Sequence, residues 1–320
     1  MNQPLNLPLA RSAVDRDYLA RTRPELFDEL KANPDTRVLA VHRGKVRLTG
    51  AVNHPNPALL LAPLDQVSDF EIWAYLGLTT EASEQQQIGS PVMLAVLSDE
   101  QALALEPNPD AWHVLRRTGA GLSNLNAGLY AQALALANWH ATHQHCPKCG
   151  SKTTISQGGW VRICPNDNTN VFPRTDPAVI VAVIDEQDRL LMGSQGVWEE
   201  NRWSVLAGFV EPGESLNAAV VREMFEEAGV QVGEPEYLGS QAWPFPYSLM
   251  MGFVARVQPN SNSHLLTPDG DEIEKLRWFS REELLAEAGQ LLLPSRITIA
   301  RALIEHWLGH PLVLEAEVNG

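Results

Sequence analysis

Residues 208–230 read Gly208-Phe-Val-Glu-Pro-Gly-Glu214-Ser-Leu-Asn-Ala-Ala-Val-Val-Arg222-Glu223-Met-Phe-Glu226-Glu227-Ala-Gly229-Val230. A Gly/Pro-bearing loop gives way at Ser215 to helical spacing that lasts to Glu227. Glu223, Glu226 and Glu227 stand at i, i+3 and i+4, so a helix turns all three carboxylates onto one face. Like charges in that arrangement repel by a few tenths of a kcal/mol per pair. One reading is an ordinary solvated acidic face. The other is a site for hard divalent ions such as Mg²⁺ or Mn²⁺, which take carboxylate and water ligands and bridge to phosphates. Two such ions would neutralise a diphosphate and acidify the water that attacks it.

Around this helix the sequence predicts a compact α/β domain. Ala178–Ile184 is a β-branched run, followed by Asp185–Asp188 and Arg189–Met192, which reads as a buried hairpin. Gln241–Val257 contains a further strand, helices are expected at Ser280–Glu287 and Arg296–Leu308, and Pro259–His264 is a polar loop. Upstream, Arg37–Val41 and Val92–Leu97 read as strands among turns such as Asn53–Pro57, and Asn124–Trp139 as an Ala/Leu-rich helix. The expected division is an α+β accessory domain over 1–140, a cysteine segment over 141–172 and a catalytic domain over 173–320.

The chain has 320 residues and a net charge of −15, with 24 of its 39 acidic residues after residue 140. A hydrophobic content of 44% with 20% charged residues is globular, which argues against disorder, collagen-like repeats and a disulfide-stapled miniprotein. No apolar run approaches the roughly 20 residues that span a bilayer, and Met1–Arg11 lacks a secretory signal. A cytoplasmic protein is expected. The acidity also argues against a basic nucleic-acid surface.

The three cysteines form Cys146-x2-Cys149-x14-Cys164, with Asp167 following Cys164 after the same x2 spacing. This is the spacing of a four-cysteine zinc ribbon whose last ligand is replaced. Zn²⁺ accepts a carboxylate or an imidazole as fourth ligand, so Asp167 is the first choice and His145 or His143 the alternative. A vestigial site with three free thiols is the competing reading. The neighbouring His140, His143 and His145 read as helix-end or surface residues.

Segment 208–230 fits Gly-x5-Glu-x7-Arg-Glu-U-x-Glu-Glu-x-Gly-U (U apolar) at every position, a match with chance odds on the order of one in ten million at average residue usage. It resembles the Nudix box. The resemblance implies the Nudix α/β/α sandwich, with Glu223, Glu226 and Glu227 as metal ligands and Glu227 as the leading catalytic carboxylate. Gly208 then permits the turn and offers its carbonyl to a metal, while Arg222 and Glu214 brace the box.

Downstream lies Ser240-Gln-Ala-Trp-Pro-Phe-Pro-Tyr-Ser248. Prolines alternating with Trp243 and Phe245 preorder two rings, which could stack on a base or pack in a core. This stretch is similar to the Ser-Gln-Pro-Trp-Pro-Phe-Pro-x-Ser signature of NADH pyrophosphatases, the Nudix subfamily that also removes NAD caps from RNA, with Ala242 in place of one proline. The likeness covers roughly residues 110–310, including Phe172–Pro177, Leu206–Glu211 and Glu272–Trp278. It implies hydrolysis of NAD(H) to NMN(H) and AMP and a homodimer. It carries Glu272 over as a further metal ligand, with Lys275 and Leu276 departing from the pattern. Phe172 and Phe209 would sandwich the nicotinamide, while Gln241, Trp243, Phe245 and Ser248 build or brace the pocket. ADP-ribose or a diadenosine polyphosphate is the alternative substrate, and a zinc-ribbon binding module with an inert Nudix domain the alternative of another class.

Overall fold

A computed structural model describes residues 5–49, 57–67, 70–259 and 265–314. The expected turn at Asn53–Pro57, up to residue 56, and the polar loop from residue 260 to 264 lie outside the described residues. Contacts divide the chain into two units, Met1–Pro8 with Asp176–Gln241 and Ser248–Gly320, and Leu9–Thr175 with Ala242–Tyr247.

The first unit is built around the strand Asp176–Ile184. Alternate side chains go to opposite faces of a strand, and here both faces are buried. Val179, Val181 and Val183 join a core with Ala219, Val220, Met224 and Ala228 of the helix Leu216–Ala228. Ile180, Ala182 and Ile184 join a second core with Leu284 of the helix Arg281–Glu287 and with Leu303, Ile304 and Trp307 of the helix Ile299–Leu308. Helices on both faces of one mixed sheet make the expected α/β/α sandwich.

The sheet runs Glu236–Trp243, Ser248–Arg256, Asp176–Ile184, Leu190–Ser194, Lys275–Phe279. The expected buried hairpin is present, and its paired stretch is short. Asp176–Ile184 meets Leu190–Ser194 at Ile184↔Leu190 alone, because Leu206–Phe209 occupies the same edge from Ala178 to Val181. The other edge pairs in parallel with all of Ser248–Arg256. Arg189 belongs to the turn: its N–H and its Nε donate to the buried Asp185 carboxylate at 2.8 and 2.7 Å. The last helix also starts later than expected, at Ile299, because Thr298 caps it by accepting the Arg301 N–H at 3.2 Å.

In the second unit the strands Val14–Asp15, Ile72–Thr79, Pro91–Val96, Arg37–Val41 and Ala62–Pro63 form one sheet in that order. The helix Asn124–Thr142 packs against it and is buried on nearly all sides. The cysteine segment adds a three-stranded sheet of Asn170–Val171, Val161–Ile163 and Thr154–Ser156. Between two of these strands, Gly159 passes so close to the larger sheet that a Cβ would lie 2.4 Å from the Trp73 carbonyl oxygen.

Candidate active site

The acidic helix is delimited by its own side chains. Ser215 Oγ accepts the Ala218 N–H at 3.2 Å, and Gly229, at φ +70°, closes the C-terminus with Gly229 N–H to Phe225 O at 2.9 Å and Val230 N–H to Met224 O at 3.2 Å. The strand Leu206–Phe209 lies alongside it. Gly208 sits within that strand, paired with Val179, and its φ is not positive. The expectation that Gly208 permits a turn is therefore corrected: the left-handed position belongs to Gly213, at φ +89°. At Gly208 the Glu223 carboxyl takes the space of a side chain, since a Cβ there would stand 2.0 Å from Glu223 Cδ and would displace that carboxyl.

Arg222 organises the carboxylates. Its Nε and Nη2 grip Glu214 at 2.8 Å each, Nη1 donates to Glu223 and Glu226 at 2.9 Å each, and Nη2 reaches the Phe209 carbonyl at 3.0 Å. This fork holds the Glu214 carboxyl down at about 2, helped by the Glu211 N–H. Its own proton affinity is raised, chiefly by Glu214.

Glu227 has no such partner. It is 4% exposed, and its Oε2 is buried without a hydrogen bond. Burial, then the charges of Glu223, Glu272, Asp269 and Glu226, push its carboxyl up to about 8. Burial raises Glu223 as well, against the pull of Arg222. Glu226 and Glu272 are exposed. Asp269, which the sequence reading passed over, accepts the N–H groups of Asp271 and Ile273 at 3.1 and 2.8 Å and so shapes the loop carrying Glu272. Against partial desolvation, which raises it, these backbone donors hold the exposed Asp269 carboxyl below the usual range. The turn-forming run Asp269-Gly-Asp-Glu272 was the signal that could have found it.

In the second unit Cys146, Cys149, Cys164 and Asp167 bring one ligand atom each to within 4.8 Å of one another, the one such set among the described residues. Two turns present them, with Gly150 N–H to Cys146 O at 2.9 Å and Asn168 N–H to Cys164 O at 3.0 Å. The Thr169 N–H holds Asp167 ionised at about 2, the Ser151 hydroxyl lowers the Cys149 thiol to about 7, and burial raises Cys164 to about 11. His143 and His145 stand outside the set; His143 Nδ1 lies 2.9 Å from the Thr142 hydroxyl. His140 is a fully buried core residue, with Nε2 2.9 Å from the Gly159 carbonyl and Nδ1 3.0 Å from Arg162 Nη1.

The aromatic-proline segment is divided. Gln241 is 1% exposed and donates to the Ile297 carbonyl at 3.0 Å, which is a bracing position. Ser248 opens the strand paired with Asp176–Ile184. Trp243 and Phe245 belong to the second unit, their ring centroids 4.8 Å apart at 68°. Phe172 in the second unit and Phe209 in the first are exposed rings, at 63% and 59%.

Residues 174–299 match the NUDIX domain model, and residues 141–172 match the NADH pyrophosphatase zinc ribbon domain model. A protein of Mycobacterium tuberculosis named NAD-capped RNA hydrolase NudC is 41% identical over 203 residues, covering 60% of this chain and 64% of that protein. A human protein named NAD-capped RNA hydrolase NUDT12 is 38% identical over 202 residues, covering 58% of this chain and 43% of that protein. The chain thus matches less than two thirds of the length of either relative. A crystal structure of a NUDIX hydrolase from Nitrosomonas europaea is 25% identical, covering 52% of this chain and 94% of that one with a TM-score of 0.40. Among the described residues no helix is long and apolar enough to cross a membrane.

Proposed function

On the premise that the chain carries a Nudix domain behind an NADH pyrophosphatase zinc ribbon, we propose that it hydrolyses the pyrophosphate of NAD(H) to NMN(H) and AMP and removes NAD caps from RNA, in the cytoplasm and as a homodimer. The observation that carries this reading is Glu227. A solvated acidic face keeps its carboxylates in water, whereas here one carboxyl oxygen is buried without a partner, on the helix whose Glu223 packs where Gly208 has no side chain. That donor set fits a hard divalent cation. Glu223, Glu226, Glu227, Glu272 and the Gly208 carbonyl would hold Mg²⁺ or Mn²⁺, which when bound neutralises diphosphate charge and acidifies the attacking water. Arg222 fixes Glu223 and Glu226, and Glu227 Oε2 is the oxygen left to take a proton.

Phe209 in the first unit and Phe172 in the second are the candidate rings for the nicotinamide, with Gln241 and Ser248 of the first unit and Trp243 and Phe245 of the second as substrate contacts or braces. Zn²⁺ on Cys146, Cys149, Cys164 and Asp167 is structural, since all four ligand positions come from protein. The segments 1–140, 141–172 and 173–320 serve as accessory, ribbon and catalytic parts. The names of the mycobacterial and human relatives support the substrate class. Initial rates on NADH, NAD⁺, ADP-ribose and an NAD-capped RNA with Mg²⁺ or Mn²⁺ test the reading. Preference for the nicotinamide dinucleotides is expected; a strong preference for ADP-ribose, or no turnover of any dinucleotide, overturns it.

A further inference from the structure

Arg116 lies on the short helix Leu115–Thr118, upstream of both stretches that match a domain model. Its Cζ stands 4.3 Å from the Phe245 ring centroid and 5.1 Å from that of Trp243. The segment bearing these rings is held by other groups. Asn138 Nδ2 donates to the Pro244 and Pro246 carbonyls at 3.0 and 3.2 Å, the Thr142 and Tyr247 hydroxyls are 2.5 Å apart, and the Phe245 N–H reaches Trp243 O at 2.7 Å. The rings are therefore anchored without Arg116.

A guanidinium set beside aromatic rings can keep the N–H groups of its edge for a planar or tetrahedral anion. Arg222, Arg277 and Arg281 each spend that edge on carboxylates. Among the described residues, neither a carboxylate nor any hydrogen-bond acceptor engages the edge of Arg116. A cation beside two rings with no counter-charge forms half of a nucleotide site: the rings meet a base, and the edge meets a phosphate.

We infer that Arg116 is a specificity residue that contacts substrate, its N–H edge receiving a phosphate of the nucleotide whose base packs on Trp243 and Phe245. This rests on the proposed pyrophosphatase activity. The test compares wild type with Arg116→Gln and Arg116→Lys. NADH turnover is measured, and binding of AMP, NMN and the phosphate-free adenosine and nicotinamide riboside is followed on the zinc-loaded protein, with no Mg²⁺ or Mn²⁺ added, by tryptophan fluorescence at low and high salt. For Arg116→Gln, KM for NADH should rise about 10-fold with kcat little changed, and one mononucleotide should weaken by about the same factor while its nucleoside does not. Arg116→Lys should recover binding at low salt and lose it at high salt, being a point charge without the fork. Equal weakening of nucleotide and nucleoside would reduce Arg116 to a ring brace and overturn the inference, as would wild-type constants in Arg116→Gln. If wild type leaves NADH intact but Arg116 still governs mononucleotide binding, the pyrophosphatase reading fails and the phosphate contact stands.

Discussion

The glutamate helix and the cysteine ribbon both gather metal-ligating groups, and they do so in opposite ways. In the ribbon, four ligand atoms converge to within 4.8 Å, the number that a closed tetrahedral site needs. In the helix, Arg222 separates Glu223 from Glu226, Glu272 stands exposed, and Glu227 is buried with an oxygen unpartnered. A converged soft-ligand set suits an ion that holds a fold. A looser set of hard oxygens leaves positions for phosphate and water, as an ion that does chemistry requires.

The sharpest way to break this contrast is Glu227→Gln, which keeps shape and removes the carboxylate. Turnover should fall by about 10³-fold or more, while the melting temperature holds or rises because a buried ionisable group is gone. Near-wild-type rates in a folded variant would return the helix to a solvated face. Cys164→Ser should do the reverse, with zinc lost by metal analysis and the second unit destabilised by several kcal/mol in calorimetry. Full zinc-free stability in that variant would mark the ribbon as vestigial. Asp167→Cys should tighten zinc binding by completing the thiolate set, as read by chelator competition.

Gly208→Ala comes next. Its Cβ would sit 2.0 Å from Glu223 Cδ, so the strand or Glu223 must move, and about 1–3 kcal/mol of stability and about 10²-fold in rate should be lost. Unchanged metal affinity and rate would show that Glu223 needs no exact seat. The smallest effect concerns His140, whose proton affinity burial lowers to about 4 against the hydrogen bond to Gly159 and with Arg162 adding to the depression. Below pH 6.5 the unfolded chain binds a proton that the folded one refuses, so stability is unaffected above that pH and falls as pH drops toward 4. The slope is at most roughly 1.4 kcal/mol per pH unit. His140→Asn should flatten that part of the pH–stability curve in denaturant titrations.

Much of this arrangement was legible from local rules. The glutamate spacing, the Ser215 cap and the Gly229 stop define the helix Leu216–Ala228 almost to the residue. The repeated x2 spacing put Asp167 beside the cysteines, where the structure also places it. Other details have causes that lie far along the chain. The hairpin after Ala178–Ile184 forms, but its pairing stops at Ile184↔Leu190 because a third strand takes the same edge. Gln241 reads as building or bracing the pocket, and the Ile297 carbonyl, 56 residues on, accepts from its amide. Asp269 lies in a turn-forming run and acts through two backbone N–H groups, whereas Arg116 carries no motif of its own and meets rings about 130 residues away.

Sequence by itself determined which chemistry the chain can hold, since helical period and turn spacing fix ligand types and order within a few residues. Only the tertiary structure decided the state of those groups. Burial and neighbouring charge left Glu227 an orphan, an arginine fork tied down Glu214, and close packing explained Gly208, all effects of distance through space that no spacing along the chain encodes.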